Sequence, residues 1–269
     1  MSKFKLRPEI QQFYEQGQER DRLKENFLER ERTLRILQKS LPPAPAVILD
    51  VGGAAGVYAF PLAEQGYEVH LIDPVPLHIE QARAYAQASK IDLASYSVGD
   101  ARHLAFADQS TDAVLLLGPL YHLVEHADRV LALKEAFRVV KQKGVLLAAA
   151  VSRFASLMDG TYQNLFSDPD YREMVTKDLA TGHHNTGAKK YFTTAFFHHP
   201  NQLKEELIQS GFKDPLLYSV EGPVWHTPML EELHQTPAIW EAFHSYLELI
   251  ETDESIIGAS AHFMARAKK

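Results

Sequence analysis

Residues 48–56 read Ile48, Leu49, Asp50, Val51, Gly52, Gly53, Ala54, Ala55 and Gly56: an apolar strand that meets an acidic residue and then a turn of small residues. No bulky side chain stands between this backbone and a ligand, and glycine accepts the positive φ of a tight strand-to-helix turn. Such a turn limits the chain to a strand–turn–helix unit whose natural occupant is a nucleotide. A second apolar run, 68–72, ends at Asp73. A carboxylate one helix and one strand beyond the glycine turn is placed to accept hydrogen bonds from both hydroxyls of an unphosphorylated ribose.

The turn does not suit a dinucleotide. The spacing G-x-G-x-x-G fails from Gly52, which gives Ala54 and Val57, and from Gly53, which gives Ala55 and Tyr58. Asp50 at the head of the loop would repel a pyrophosphate, whereas it could receive a ligand ammonium directly or through water. A cationic amino acid joined to adenosine fits better. The pattern Asp50-x-Gly52-x-Ala54-x-Gly56 resembles the first motif of class I S-adenosylmethionine-dependent methyltransferases, with Ala54 in place of the middle glycine. The resemblance runs through residues 47–151: Asp73, then the strand 95–98 with its Gly99-Asp100-Ala101 turn, then the strand 111–117 ending at Gly118, then the turn at Lys143-Gly144 into a fifth strand. Asp73 or Asp100 alone could be an ordinary turn or cap residue; the set falls at the ends of successive strands.

The resemblance implies a doubly wound α/β fold with a mostly parallel seven-stranded, Rossmann-like sheet and an inserted helical cap or lid. It implies S-adenosylmethionine as cofactor and S-adenosylhomocysteine as product. Asp50, Gly52, Gly53 and Gly56 would lie beside the methionine portion, Asp73 and Pro74 at the ribose, and Asp100 and Ala101 at the adenine amino group and ring nitrogen. Leu117 and Gly118 would line the cofactor at the end of the fourth strand. Tyr14 and Arg32, in the preceding segment, are candidates to close over it and meet its carboxylate; Arg32 equally suits a surface pair with Glu29 or Glu31.

At 269 residues the chain suits one α/β domain with an added cap. The longest apolar stretch, 145–151, is far short of the ~20 residues of a bilayer helix. The basic start, Met1 to Lys5, lacks a following apolar signal core, so a cytoplasmic location is expected. With no cysteine, disulfides, thiolate metal sites and cysteine nucleophiles are excluded. A net charge of −7 disfavours a nucleic-acid substrate. The ten positive and seven negative residues within 1–40 alternate, as on a solvated helix face.

Residues 1–45 are expected to form a helical segment over the cofactor, with one amphipathic helix at about 19–40 on Leu23, Phe27, Leu34, Leu37 and Leu41, stopped by the prolines at 42, 43 and 45. Residues 46–151 form the cofactor-binding core, with strands 46–51, 68–73 and 112–117 and helices 57–65 and 76–89. Residues 152–200 break the βα rhythm with short helical patterns only and read as a cap or lid. Residues 201–269 complete the core: a helix 201–210, edge strands near 215–220 and 261–267, and an insertion at 223–258 with two helices.

Because S-adenosylmethionine brings its own leaving group, the protein must mainly align an acceptor and exclude water, which can supply ~7–11 kcal/mol. A base is needed only for a hydroxyl, a protonated amine or an acidic carbon. Residues 118–122 follow the fourth strand, and His122 and Tyr121 are the catalytic candidates there, each with an alternative as a wall of the site. The pairs His183-His184 and His198-His199 lack the i, i+4 alignment of helical ligands, so no metal is expected. With Tyr191, Phe192, Phe196 and Phe197 they either line an acceptor pocket or pack the cap. The expected activity is methyl transfer to a small molecule under the cap, with no nucleic-acid or membrane partner and an open oligomeric state. The rival readings are a non-catalytic cofactor-binding sensor and an RNA methyltransferase.

Overall fold

The protein is described by a computed structural model over residues 6–15, 26–185 and 191–269. Two N-terminal helices, α1 (Pro8–Tyr14) and α2 (Phe27–Ser40), precede the alternating core. The start of the expected helix 19–40 lies outside the described residues. The core runs β1 (Val47–Val51), α3 (Ala59–Glu64), β2 (Glu68–Asp73), α4 (Pro76–Ser89), β3 (Ser95–Val98), β4 (Thr111–Leu116), α5 (Pro119–His122), α6 (His126–Val139) and β5 (Val140–Val151). A proline opens α1, α4 and α5 at positions where the missing N–H costs nothing.

The central strands β1 and β4 are short, largely aliphatic and buried because both faces of the sheet are covered there. Alternate residues of β1 serve opposite layers. Leu49 and Val51 join Leu116, Leu133 and Ala136 on one face, while Ile48 joins Ile36, Leu62 and Ile79 on the other. Each buried Leu or Ile contributes roughly 1.5–3 kcal/mol relative to exposure.

After β5 come α7 (Ala155–Tyr162), α8 (Pro169–Thr181), the two-stranded ribbon of β6 (His183–His184) and β7 (Ala195–Phe196), and α9 (Pro200–Gln209). β8 (Lys213–Ser219), α10 (Leu230–Gln235), α11 (Pro237–Ile250) and β9 (His262–Lys268) complete the described chain. The large sheet has the order β3-β2-β1-β4-β5-β9-β8, seven strands of which the first five are parallel and β9 runs antiparallel to both neighbours. The order reverses between β1 and β4, which opens a crevice at their carboxyl ends. No helix among the described residues is long and apolar enough to cross a membrane.

Two local expectations are corrected. Lys143 and Gly144 do not form a turn into the fifth strand; they lie within β5, where the register against β4 shifts between Thr111 and Ala113. Lys143 adopts φ 68°, and a Cβ at position 144 would stand 2.8 Å from the Asp112 carbonyl oxygen, so the irregularity is absorbed without ending the strand. Residues 152–200 carry more helix than their composition suggests: α8 is 13 residues long, capped by the Asp168 side chain on the Asp170 N–H and closed by Gly182 in the left-handed conformation.

The N-terminal helix α2 is fixed to the antiparallel edge. Arg32 is fully buried; it donates to the Val220 carbonyl at 3.1 Å and to Glu251 at 2.5 Å, with Glu248 at 3.4 Å. Lys39 also pairs with Glu251.

Candidate active site

The glycine loop follows β1 at the switch point. The Gly52 N–H donates to the Ile72 carbonyl at 2.7 Å, and Gly52 has φ +70° with Pro119 so near that a Cβ would stand 2.7 Å from its ring. A Cβ on Gly53 would collide with the Asp50 carboxylate. These two positions must be glycine for the loop to lie flat between β1 and α5. Ala54, where the family pattern has glycine, sits at φ 48° and donates its N–H to Asp73 Oδ2 at 2.9 Å. Asp73 therefore staples the loop to the end of β2.

Asp73 is a buried acceptor hub. Its Oδ1 accepts from the Val75 N–H at 2.9 Å and lies 3.0 Å from His78 Nδ1. The ring is thus held with Nδ1–H toward Asp73, and His78 Nε2 is buried without a hydrogen-bond partner. Asp50 is fully buried, and neither of its carboxylate oxygens has a hydrogen-bond partner. Burial, and then the charge of Asp73, pushes its carboxyl up to about 7.

Two clefts meet at the loop. One, of about 680 Å³, is walled by Asp73, Pro74, Val75, His78, Asp100, Ala101, Arg102, Tyr121 and His122, and is roofed by Leu6, Ile10 and Tyr14. The other, of about 560 Å³, lies over Asp50, Gly53, Leu117 and Ala149 and reaches Glu29, Thr33, Val220 and His262. Gly52, Ala54, Gly118 and Tyr121 line both. An adenosine arm and an amino-acid arm joined at a central atom match that shape, and the unpartnered Asp50 carboxylate calls for a cationic occupant.

Most of the residues singled out from the sequence come together here. Tyr14 places its hydroxyl 2.5 Å from His122 Nε2 and its ring edge-on to His78 at 5.6 Å, so α1 is pinned across the first cleft. The Asp100 carboxylate is engaged by Arg102 through the backbone N–H and guanidinium at 2.8–2.9 Å, and Arg102 reaches on to Asp128. Gly56 lies at the start of the turn into α3, against Phe60. Arg32 departs from both of its expected settings. It neither lines a cleft nor pairs with Glu29 or Glu31 at the surface, because Glu251 draws it into the interior behind α2.

The cap histidines have structural partners. His199 caps α9 in a reciprocal box with Gln202, and His198 is buried against Glu206, which also holds Arg129 at 2.8 Å. Arg129 in turn lies over the Phe196 ring at 3.7 Å. His184 pairs through Nδ1 with Asp178 at 2.8 Å and stacks on Phe197, and Phe197 shares an apolar cluster with Tyr121 and Phe192. Tyr191 donates to Asp168 at 2.6 Å.

Sequence reasoning missed His78, Arg102, Glu29, Thr33, Glu221 and His262. His78 had a local signal, being on the first turn of α4 after Asp73. Glu29, Glu221 and His262 had none: they come from α2, the segment just after β8 and the start of β9, yet their side-chain ligand atoms lie within 4.8 Å of one another.

Residues 48–144 match a family model described as a methyltransferase domain. A ubiquinone biosynthesis O-methyltransferase of Azorhizobium caulinodans is 34% identical over 181 residues, covering 65% of this chain and 62% of that protein. The chain thus spans less than two thirds of that relative's length. Among solved structures, an S-adenosylmethionine-dependent methyltransferase of Mesorhizobium loti superposes with a TM-score of 0.58 at 15% identity, covering 87% of this chain and 96% of that one. Phosphoethanolamine N-methyltransferase 2 of Haemonchus contortus, solved with S-adenosylmethionine, gives 0.57 at 18% identity over 89% of this chain and 52% of that one. At those identities the structures speak for the fold alone. The motif order, the sheet order and the match over residues 48–144 agree, and that stretch is a methyltransferase domain.

Proposed function

We propose that the protein transfers a methyl group from S-adenosylmethionine to a small-molecule acceptor held beneath the cap of residues 152–200. The observation that carries this reading is the buried, unpartnered Asp50 carboxylate under the glycine loop, at the base of the cleft that takes the amino-acid arm. When bound, the cofactor supplies a methyl group on a sulfonium, which needs no metal or protein nucleophile to leave.

The chain's own residues bind and orient. Asp73 and His78 receive the ribose hydroxyls, Asp100 and Ala101 the adenine edge, and Pro74 and Leu117 supply apolar wall. Gly52, Gly53 and Gly56 keep the loop low, and Gly118 keeps side chains away from the junction. Tyr121 lines both clefts and is the side chain best placed to position an acceptor. His122, with Nε2 engaged by Tyr14, fixes α1 across the adenosine cleft and excludes water. The curated relative's name describes O-methylation, which favours a hydroxyl acceptor. The aromatic cluster of Tyr121, Phe192 and Phe197 favours a flat, largely apolar one.

Calorimetry with S-adenosylmethionine, followed by transfer of radiolabelled methyl to a small-molecule extract, tests this. Failure to bind the cofactor sinks the reading. Binding without labelling of any metabolite would instead mark a non-catalytic binder.

A further inference from the structure

The second cleft has a polar far end whose construction packing alone does not explain. Glu221, 4% exposed, accepts from Ser260 Oγ at 2.7 Å and from the His262 N–H at 3.0 Å through one oxygen. Its other oxygen lies 2.5 Å from His262 Nδ1. The Ser260 hydroxyl is itself fixed by the N–H groups of Glu221 and Gly222 at 3.0 and 3.1 Å. His262 is thus held in one orientation, and any hydrogen bond it gives a ligand comes from Nε2. Glu29 Oε2 stands 3.9 Å from the same ring, and Thr33 shares the wall.

An amino-acid head group carries an ammonium and a carboxylate, and each needs an opposite partner in a buried cleft. Asp50 and Glu29 are the carboxylates that line this cleft among the described residues. Arg32, the obvious candidate for the carboxylate, is committed to Glu251. His262 is the one ionisable group that can become cationic among the described residues lining this cleft.

Given that the two clefts take S-adenosylmethionine, we propose that His262, held by Glu221, binds the α-carboxylate of the cofactor's methionine, and that Glu29 from α2 binds its ammonium opposite Asp50. The head group is then gripped between the N-terminal helix and the antiparallel edge of the sheet.

The test compares S-adenosylhomocysteine with 5′-methylthioadenosine, which keeps the adenosine and the sulfur but lacks the amino-acid head. Both are titrated calorimetrically into the full chain and its variants, with thermal unfolding to verify folding. His262→Leu is expected to weaken S-adenosylhomocysteine by about ten- to a hundredfold, the range of a lost charged hydrogen bond, and to leave 5′-methylthioadenosine unchanged. His262→Gln, which keeps a donor, recovers part of the loss. Equal weakening of both ligands, or of neither, overturns the assignment. So does a stoichiometric Mn²⁺ ion held by the wild type and released by His262→Leu, which would make the cluster a cation site. A wild type that binds 5′-methylthioadenosine but not S-adenosylhomocysteine refutes the head-group clamp alone, whereas one that binds neither refutes the cofactor reading beneath it.

Discussion

Replacing Asp50 with asparagine should stabilise the ligand-free protein at alkaline pH while weakening cofactor binding. In the folded chain the carboxyl is fully buried without a hydrogen-bond partner and holds its proton up to about pH 7, against an ordinary value of 3.8. A raised carboxyl value contributes stability that is full below 3.8 and is lost as pH rises through about 7, because the unfolded chain releases the proton first. At about 1.4 kcal/mol per pH unit, that gap makes the ionised side chain a burden of about 4 kcal/mol at pH 8. Asparagine cannot ionise and so removes it, but its buried amide needs partners of its own and costs about 1–3 kcal/mol. The net expectation is a variant more stable than wild type by about 1–3 kcal/mol at pH 8.5 and no more stable at pH 5. Urea denaturation at the two pH values measures this directly. An effect of the same size and sign at both would refute the reasoning, since it would show that Asp50 does not change charge between them. Calorimetry on the same variant should show S-adenosylmethionine weakened by tenfold or more, roughly one charge-assisted hydrogen bond. In the wild type near pH 7, binding should release a proton as the ligand ammonium drives Asp50 to ionise, seen as a heat that varies with the buffer's ionisation enthalpy.

Asp73→Ala removes the acceptor for the Ala54 and Val75 N–H groups and the partner of His78, so it should lower S-adenosylmethionine affinity by more than tenfold in calorimetry and also depress the melting temperature. Unchanged affinity would remove Asp73 from the site. Ala54→Gly should raise stability by about 1 kcal/mol in thermal unfolding and leave affinity intact, because φ 48° strains alanine and not glycine. Arg32→Met should cost about 3 kcal/mol in urea unfolding by breaking the buried pair with Glu251, to which Lys39 remains bound, and through α2 it should weaken S-adenosylhomocysteine while sparing 5′-methylthioadenosine. Unchanged affinity for both ligands would show that the α2 junction does not set the head-group end of the cleft.

The legible part of the site was its local part. Asp50, Gly52 and Gly53 are neighbours in sequence, and their spacing alone reports a strand, a low loop and an acidic residue at its head. Asp73 was legible because it ends an apolar run, and Asp100 because its Gly99-Asp100-Ala101 turn resembles a known motif; parallel strands bring such ends to one side of a sheet. The bulge at Lys143 was hidden because a lysine and a glycine in succession carry the same local signal for a turn as for an irregular strand, and only the β4 register distinguishes them. Arg32 was hidden for another reason. Its partner Glu251 lies 219 positions away, and nothing within the charged pattern of α2 marks one arginine for burial among several left outside.

That difference has a physical origin in how the two halves of the site are built. The adenosine cleft draws most of its wall from the ends of β1, β2, β3 and β4, whose positions follow from strand pairing. The far end of the amino-acid cleft instead depends on α2 meeting the β8–β9 edge, segments from opposite ends of the described chain. Arg32 and Lys39 on α2, both pairing with Glu251, hold that junction, and Trp240 on α11 adds a hydrogen bond to Glu31 at 2.7 Å. Glu29 and Thr33 lie on the same helix, so whatever loosens these pairs also moves the groups that face the head of the ligand. Perturbations at Glu251 should therefore reach S-adenosylhomocysteine binding through α2 while sparing 5′-methylthioadenosine. The same selectivity follows from changing His262, although Glu251 lines neither cleft.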